Sequence, residues 1–447
     1  MTELLQLAAR LAREYLDGLD ARPVAPTAAA IEALAQLRTP LPEGPTDAAA
    51  VLAQLDAIGS PATVASAGGR FFGFVTGSSL PVAVGASWLA TAWDQNAALF
   101  TMSPIAVALE RVVLEWLRQL LAIPEGSVGA LVTGGTMASF TALAAARRSV
   151  LARVGWNVDD DGLFGAPPIT VIVGDEVHVA VIKALGLLGL GRARVVRVPA
   201  DAQGRMRASE LGRIDGPTIV CTQAGNVNSG ACDPVGAICD AAHARDAWVH
   251  VDGAFGLWAA AAPARAALVD GAERADSWAV DAHKWLNVPY DSGVAFVRDG
   301  AALRGAMSVI APYLTAGGPP EPCHATPEMS RRARAVEIWA ALRTLGRAGI
   351  AELVERCCVH AAHFAERMRT AGFDVLNDVV LNQVLVSFGD DARTDAVVAA
   401  VQREGTLWCG PTVWHGRHAM RISVSSWVTS DADVERAADA IINVAKQ

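Results

Sequence analysis

The sequence predicts an α/β protein, on three observations. Short apolar runs without clean polar alternation recur between residues 129 and 297, and stretches of helical periodicity separate them; strands buried on both faces of a parallel sheet carry such a pattern. The chain has 447 residues, of which 52% are hydrophobic and 19% charged, enough to bury a large core at roughly 100–200 residues per domain. Its chemically distinctive residues fall at the ends of the apolar runs, where doubly wound sheets collect ligands.

The first stretch, "MTELLQLAARLAREYLDGLD", alternates charges with leucines at helical spacing. It is therefore read as a helix, not as a signal peptide or membrane span. "ARPVAPTAAA" and "TPLPEGPTD" interrupt a second short helical segment, so residues 1–68 form a helical arm. From about residue 105, "IAVALERVVLEWLRQLLAI" has the three- and four-residue spacing of a long amphipathic helix. The strand candidates follow: 129–133, 169–174, 193–198, 217–221, 247–252, 277–281 and 293–297. They define a large domain, 69–330, with a mainly parallel seven-stranded sheet. After the prolines of "TAGGPPEPCHATPE", the helix "RRARAVEIWAALRTLGRAG", the strands "NQVLVSF" and "MRISVSS" and a last helix form a smaller α+β domain, 331–447.

The formal charge is −9, with no block of lysines or arginines, which excludes nucleic acid or an anionic membrane as the expected partner and leaves a small molecule. Seven cysteines at irregular spacing, none in a CxxC pair, read as reduced buried thiols in a cytoplasmic protein, and no histidine has the spacing of a metal ligand.

Three places carry chemistry. "LVTGGTMAS" runs from a strand through Gly134, Gly135 and Thr136 into a helix, whose free N–H groups and positive dipole end suit a phosphate. "WVHVDGAFG" ends a strand in Asp252, a carboxylate that needs a cation or strong donor there. "SWAVDAHKW" ends the next strand near Lys284, 32 residues on, a spacing that admits one helix and one strand and sets both residues at one sheet edge. A partly desolvated lysine forms Schiff bases with aldehydes. Pyridoxal phosphate further needs an anion cradle, a carboxylate for its ring nitrogen and a flat group against its ring. Gly135 and Thr136, Asp252, and His178 in "VGDEVHVAVIKALG" answer those needs.

With these residues in place, the chain resembles the fold-type-I, pyridoxal-phosphate-dependent group II amino acid decarboxylases, the family of the aromatic amino acid, glutamate and histidine decarboxylases. The resemblance runs from "GRFFGFVTGSSLP" (69–81) through "VTGGTMAS", "QAGNVNSGACDP", "HVDGAFGLW" and "DAHKWLN" to "MRISVSSWVT" (420–429). It implies that Lys284 carries the cofactor, Asp252 partners its ring nitrogen, Ala254 lies under the ring and His178 stacks on it. Gly135, Thr136, Asn226 and His283 correspond to positions around the phosphate. Where many relatives have a threonine, Asn226 and Val227 stand here. The resemblance also implies a homodimer with shared active sites. Tyr313, in "SVIAPYLTAGG", matches the loop tyrosine that protonates the quinonoid left by loss of CO₂, which favours decarboxylation over aldehyde formation or transamination of the same amino acid; retention of Lys284, Asp252, His178 and Tyr313 together argues against a catalytically silent relative. Phe72, Phe74, Thr76, Phe100 and Trp414, with the neighbouring His415, match substrate-pocket stretches, although Phe72 reads better as core, and Arg421 matches an arginine that some relatives assign to the substrate carboxylate. No pair of cations is evident for a side-chain carboxylate, so an aromatic or bulky apolar amino acid is the expected substrate.

Overall fold

The computed structural model describes residues 2–308 and 320–447. Seven strands form one sheet: β1 (Val128–Val132), β2 (Thr170–Gly174), β3 (Val196–Val198), β4 (Thr218–Gln223), β5 (Trp248–Asp252), β6 (Ser277–Asp281) and β7 (Gly293–Val297). Their order is β1-β7-β6-β5-β4-β2-β3. β7 runs antiparallel to both neighbours, and the remaining pairings are parallel. This is the mainly parallel sheet that the apolar runs predict.

Both faces of the sheet are covered. Ala130, Val171, Val173, Ile219, Trp248 and Val297 lie on one face, in a core with Ala142, Leu143, Ala146 and Val150 of the helix Gly135–Ala152. Leu131, Val249, Val251, Val280, Val294 and Phe296 point the other way, and all are buried. With neither side facing water, the sequence has no reason to alternate. β1 is held from outside the sheet as well. Arg331 donates to the Leu131 carbonyl at 2.6 Å and pairs with the buried Glu110 of the helix Pro104–Leu120 at 3.1 Å, so the guanidinium and carboxylate compensate each other away from water.

One expected element differs. Between β5 and β6 three short 3₁₀ turns, Gly256–Ala261, Ala266–Val269 and Ala272–Arg274, replace the single helix that the spacing allowed. Pro263 supplies no N–H for a continuous ladder, and Gly271 reverses the chain at φ +86°.

The chain forms two compact units. One is Ser79–Val359 with Asn377–Gln383 and contains the seven-stranded sheet. The other joins the residues up to Ser78 with His360–Leu376 and Val384–Gln447. It holds a four-stranded sheet of β8 (Asp374–Val375), β9 (Gln383–Ser387), β10 (Gly410–Trp414) and β11 (Arg417–Ser423), ordered β10-β11-β9-β8. These units divide the chain differently from the segments 1–68, 69–330 and 331–447. The residues up to Ser78 are stitched to C-terminal residues: the N–H of Val24 donates to Gly405, that of Phe72 to Trp408, and that of Ser423 to Phe72. Among the described residues, no helix is long and apolar enough to cross a membrane.

β5 carries a test of this core. His250 is fully enclosed, its Nδ1 2.9 Å from Ser277 Oγ, and burial pushes its imidazole down to about 3. Folding therefore favours the neutral ring. The stabilisation is complete above the unfolded value near 6.5 and is lost as pH falls from there towards 3, on the order of 5 kcal/mol across that window. Thermal midpoints at pH 7 and pH 5 should differ by less in His250→Gln than in the wild type; an unchanged difference would remove His250 from the acid response.

Candidate active site

The site is assembled from three strand ends of the larger unit. β1 stops at Val132, and the chain turns at Gly134 (φ +155°, ψ 179°), a conformation that side chains of L-residues rarely adopt, into the helix Gly135–Ala152. A Cβ on Gly293 of β7 would lie 2.4 Å from the Gly134 Cα, and one on Gly135 would lie 2.8 Å from Asp281 Oδ2. Close packing thus requires these glycines, apart from any ligand. The 18-residue helix presents its N-terminal N–H groups and dipole to the space above the sheet.

Asp252 ends β5. Its Oδ1 accepts the Ala254 N–H at 3.2 Å, which fixes the carboxylate in the turn. β5 and β6 pair in parallel with Asp252 opposite Ala279, which brings the turn after β6 beside Asp252. That turn is anchored at Ser292: its carbonyl accepts the N–H groups of Ala282 and His283, and its own N–H donates to His283 Nδ1 at 3.0 Å. With Nδ1 accepting, the neutral imidazole carries its proton on Nε2. Burial holds His283 below the usual histidine range; Asp281 opposes this effect and Lys284 adds to it. Lys284 Nζ lies 3.0 Å from Asp281 Oδ2.

A cavity of about 390 Å³ opens here, lined by residues 133–137, His178, Ala180, Asp252, Ala254, Asp281, His283, Lys284 and Tyr290. Of the residues expected in the cofactor site, Gly135, Thr136, His178, Asp252, Ala254, His283 and Lys284 are thus brought together. His178 is also the N-cap of the helix Val179–Leu187, its Nδ1 accepting from the Ala180 N–H at 3.2 Å. Asn226 is absent from this lining. It is buried; its Oδ1 accepts the N–H groups of Asn228 and Ser229 and its Nδ2 donates to the Glu176 carbonyl at 3.4 Å, so the side chain ties its loop to the segment that carries His178.

The other expected residues are placed as follows. Phe100 belongs to the larger unit and is 44% exposed, its N–H donating to Glu321 Oε2 at 2.9 Å. Phe74, Thr76, Trp414 and Arg421 belong to the smaller unit. There Phe74 stacks on Trp408 at 5.1 Å, the Thr76 N–H donates to Gly73, and Trp414 is buried with Leu385 and Ala419. Arg421 sits on β11, where burial lowers its guanidinium pKa. Phe72 is core, edge-on to Phe364, in line with its reading. Tyr313 lies outside the described residues.

Among the lining residues assigned no role from the sequence, two carry chemistry, Asp281 and Tyr290. The signal for Asp281 was the one that marked Asp252, a carboxylate ending an apolar strand. Tyr290 is one of three tyrosines; its ring lies 4.5 Å from that of His283, and Arg334 holds the adjacent Asp291 at 2.8 Å.

The cradle, the lysine, the carboxylate and the imidazole together fit pyridoxal phosphate. Gly134 and Gly135 keep the start of the helix free of side chains where it lines the cavity beside Lys284, which leaves its N–H groups open to an anion. The family model of the pyridoxal-dependent decarboxylase conserved domain matches residues 32–389, and the chain belongs to this family. It is 30% identical over 409 residues to tryptophan decarboxylase 1 of Oryza sativa subsp. japonica, covering 82% of this chain and 78% of that one. It is also 30% identical over 441 residues to the L-2,4-diaminobutyrate decarboxylase of Rhizobium meliloti (strain 1021), covering 91% and 84%. The structure of the Oryza sativa enzyme TDC with pyridoxal phosphate and tryptamine superposes with a TM-score of 0.92 at 25% identity, over 100% of this chain and 97% of the other. The chain is thus a carboxy-lyase that uses pyridoxal phosphate to decarboxylate an amino acid.

Gly135→Ala tests the cradle. The added methyl has to displace Asp281 or the helix start, so cofactor affinity should fall about tenfold or more in a spectrophotometric titration, with the circular dichroism of the fold retained. Unchanged affinity would mean that the helix start does not bind the phosphate.

Proposed function

We propose that this protein decarboxylates an L-amino acid with an aromatic or bulky apolar side chain, as a cytoplasmic homodimer with shared active sites. The observation that carries the proposal is the convergence of Lys284, Asp252 and a helix N-terminus in one cavity with no other lysine or arginine among its described lining residues. A substrate with a side-chain carboxylate would find no second cation there.

When bound, pyridoxal phosphate supplies the aldehyde that Lys284 takes up and a conjugated ring that accepts the electron pair released with CO₂. The backbone N–H groups at Gly135–Met137 and the helix dipole hold the phosphate. Asp252, fixed by the Ala254 N–H, keeps a proton on the ring nitrogen by offering it a counter-ion. Ala254 would leave room for the ring and His178 would lie against it, while Lys284 would hold the cofactor until the substrate's amine replaces it. Tyr313, assigned by resemblance, returns a proton to the α-carbon.

The dimer is supported by apolar side chains left in water on the larger unit. Trp88, Leu89 and Trp93 on the helix Pro81–Trp93, and Phe100, Met102 and Ile105 just after it, are each more than 40% exposed. Such a concentration marks a protein interface. The seven free cysteines fit a reducing compartment.

Incubation of the loaded enzyme in air with tryptophan, tyrosine, phenylalanine, DOPA, 2,4-diaminobutyrate, glutamate and cysteate, read by mass spectrometry, should give an amine from an aromatic member. Amine from glutamate or cysteate alone would overturn the substrate class, and an aldehyde would overturn the reaction. Tyr313→Phe should lower amine formation about a hundredfold or more, whereas Tyr290→Phe should retain it. The reverse ranking would move the proton donor to Tyr290.

A further inference from the structure

Asp281 has no part in the steps above, yet it is firmly fixed in the cavity. Its N–H donates to the Ala254 carbonyl at 2.9 Å and its carbonyl accepts the Trp258 indole N–H at 3.1 Å, so its backbone is held from two sides. The side chain is almost wholly buried. It lies on the face of β6 that packs against the helix Gly135–Ala152, with Oδ2 3.0 Å from Lys284 Nζ and Oδ1 3.5 Å from His283 Nε2. Both oxygens are close to the helix start: a Cβ at Gly135 would lie 2.8 Å from Oδ2, and one at Gly134 would lie 3.6 Å from Oδ1. Oδ1 has no hydrogen-bond partner.

A carboxylate in this position is an anion already seated at an anion site. We propose that Asp281 is the resident counter-ion of the unloaded enzyme, competing with the phosphate of the incoming cofactor for Lys284 and for the N-terminus of the 135–152 helix. The proposal rests on the reading of this cavity as the pyridoxal phosphate site.

The physical reasoning is direct. An isolated buried carboxylate is costly, and Asp281 offsets that cost with the Lys284 ammonium and the helix dipole. A phosphate bound at the same N–H groups needs the same positive field and brings like charge close to Asp281. Lys284, once it has taken up the aldehyde, no longer offers Asp281 a free ammonium. Asp281 thus opposes loading twice, by pairing with the Lys284 amine and by repelling the phosphate, and it re-forms its pair when the cofactor leaves. The chain gains a site that stays charge-balanced when unloaded, at the expense of cofactor affinity.

The test uses the full chain stripped of cofactor. Dissociation constants for inorganic phosphate, from phosphorus NMR, and for pyridoxal phosphate, from absorbance, are measured in the wild type, Asp281→Asn, Lys284→Ala and the double variant, with circular dichroism as the check on folding. Asp281→Asn should bind both ligands about tenfold more tightly or better. Lys284→Ala should bind inorganic phosphate more weakly than the wild type, and adding Asp281→Asn to it should restore binding. A merely structural Asp281 gives the opposite sign, with weaker binding in Asp281→Asn and no rescue in the double variant; that result, or equal affinities throughout, overturns the proposal while leaving the cofactor reading intact. Failure of the folded wild type to take up pyridoxal phosphate would sink both.

Discussion

The parallel pairing of β5 with β6 is the constraint on which the site depends. It puts Asp252 opposite Ala279, so the two strand ends, and the turns that follow them, emerge side by side on one sheet edge. β7 then returns antiparallel, and its first residue, Gly293, lies against Gly134 closely enough to exclude a Cβ. Three segments distant in sequence are thereby fixed around one space by backbone hydrogen bonds and glycine contacts, before any functional side chain is considered. Covering the sheet on both faces makes those strand ends stiff, and stiffness is what a site needs to hold charges at defined distances.

The charges in the cavity follow one pattern. Each is offset by a neighbour: Lys284 by Asp281 and Asp252 by the Ala254 N–H, while the Ser292 N–H fixes His283 through Nδ1. Where one side chain serves two ends, position and chemistry are joined. His178 both starts a helix and lines the cavity. Gly135 both opens the helix that lines the cavity and makes room for Asp281.

Much of this was legible in the sequence because burial leaves a plain signal. The seven strands read as apolar runs, and Lys284 and Asp252 stood out as charges at the ends of two of them. The 3₁₀ turns between those strands were not legible as such, since Pro263 and Gly271 mark where a helix breaks but not what replaces it. Asn226 matched a family motif, yet its side chain is taken up in joining its own loop to the segment before His178; sequence identity does not say which way an amide points. Trp414 is a core residue of its sheet, and aromatic residues in pockets and in cores look alike in a sequence. Asp281 was overlooked although it obeys the rule that singled out Asp252, because the adjacent His283–Lys284 pair explained the motif without it. Tyr290 was hidden by a similar effect, with Tyr313 already filling the tyrosine's place.

The chain has three lysines, Lys183, Lys284 and Lys446, which makes the central claim simple to test. Borohydride reduction of the protein loaded with pyridoxal phosphate, followed by digestion and peptide mass spectrometry, should place the pyridoxyl group on Lys284. A pyridoxyl group on Lys183 or Lys446 instead, or none on a protein that stays coloured, would contradict the account.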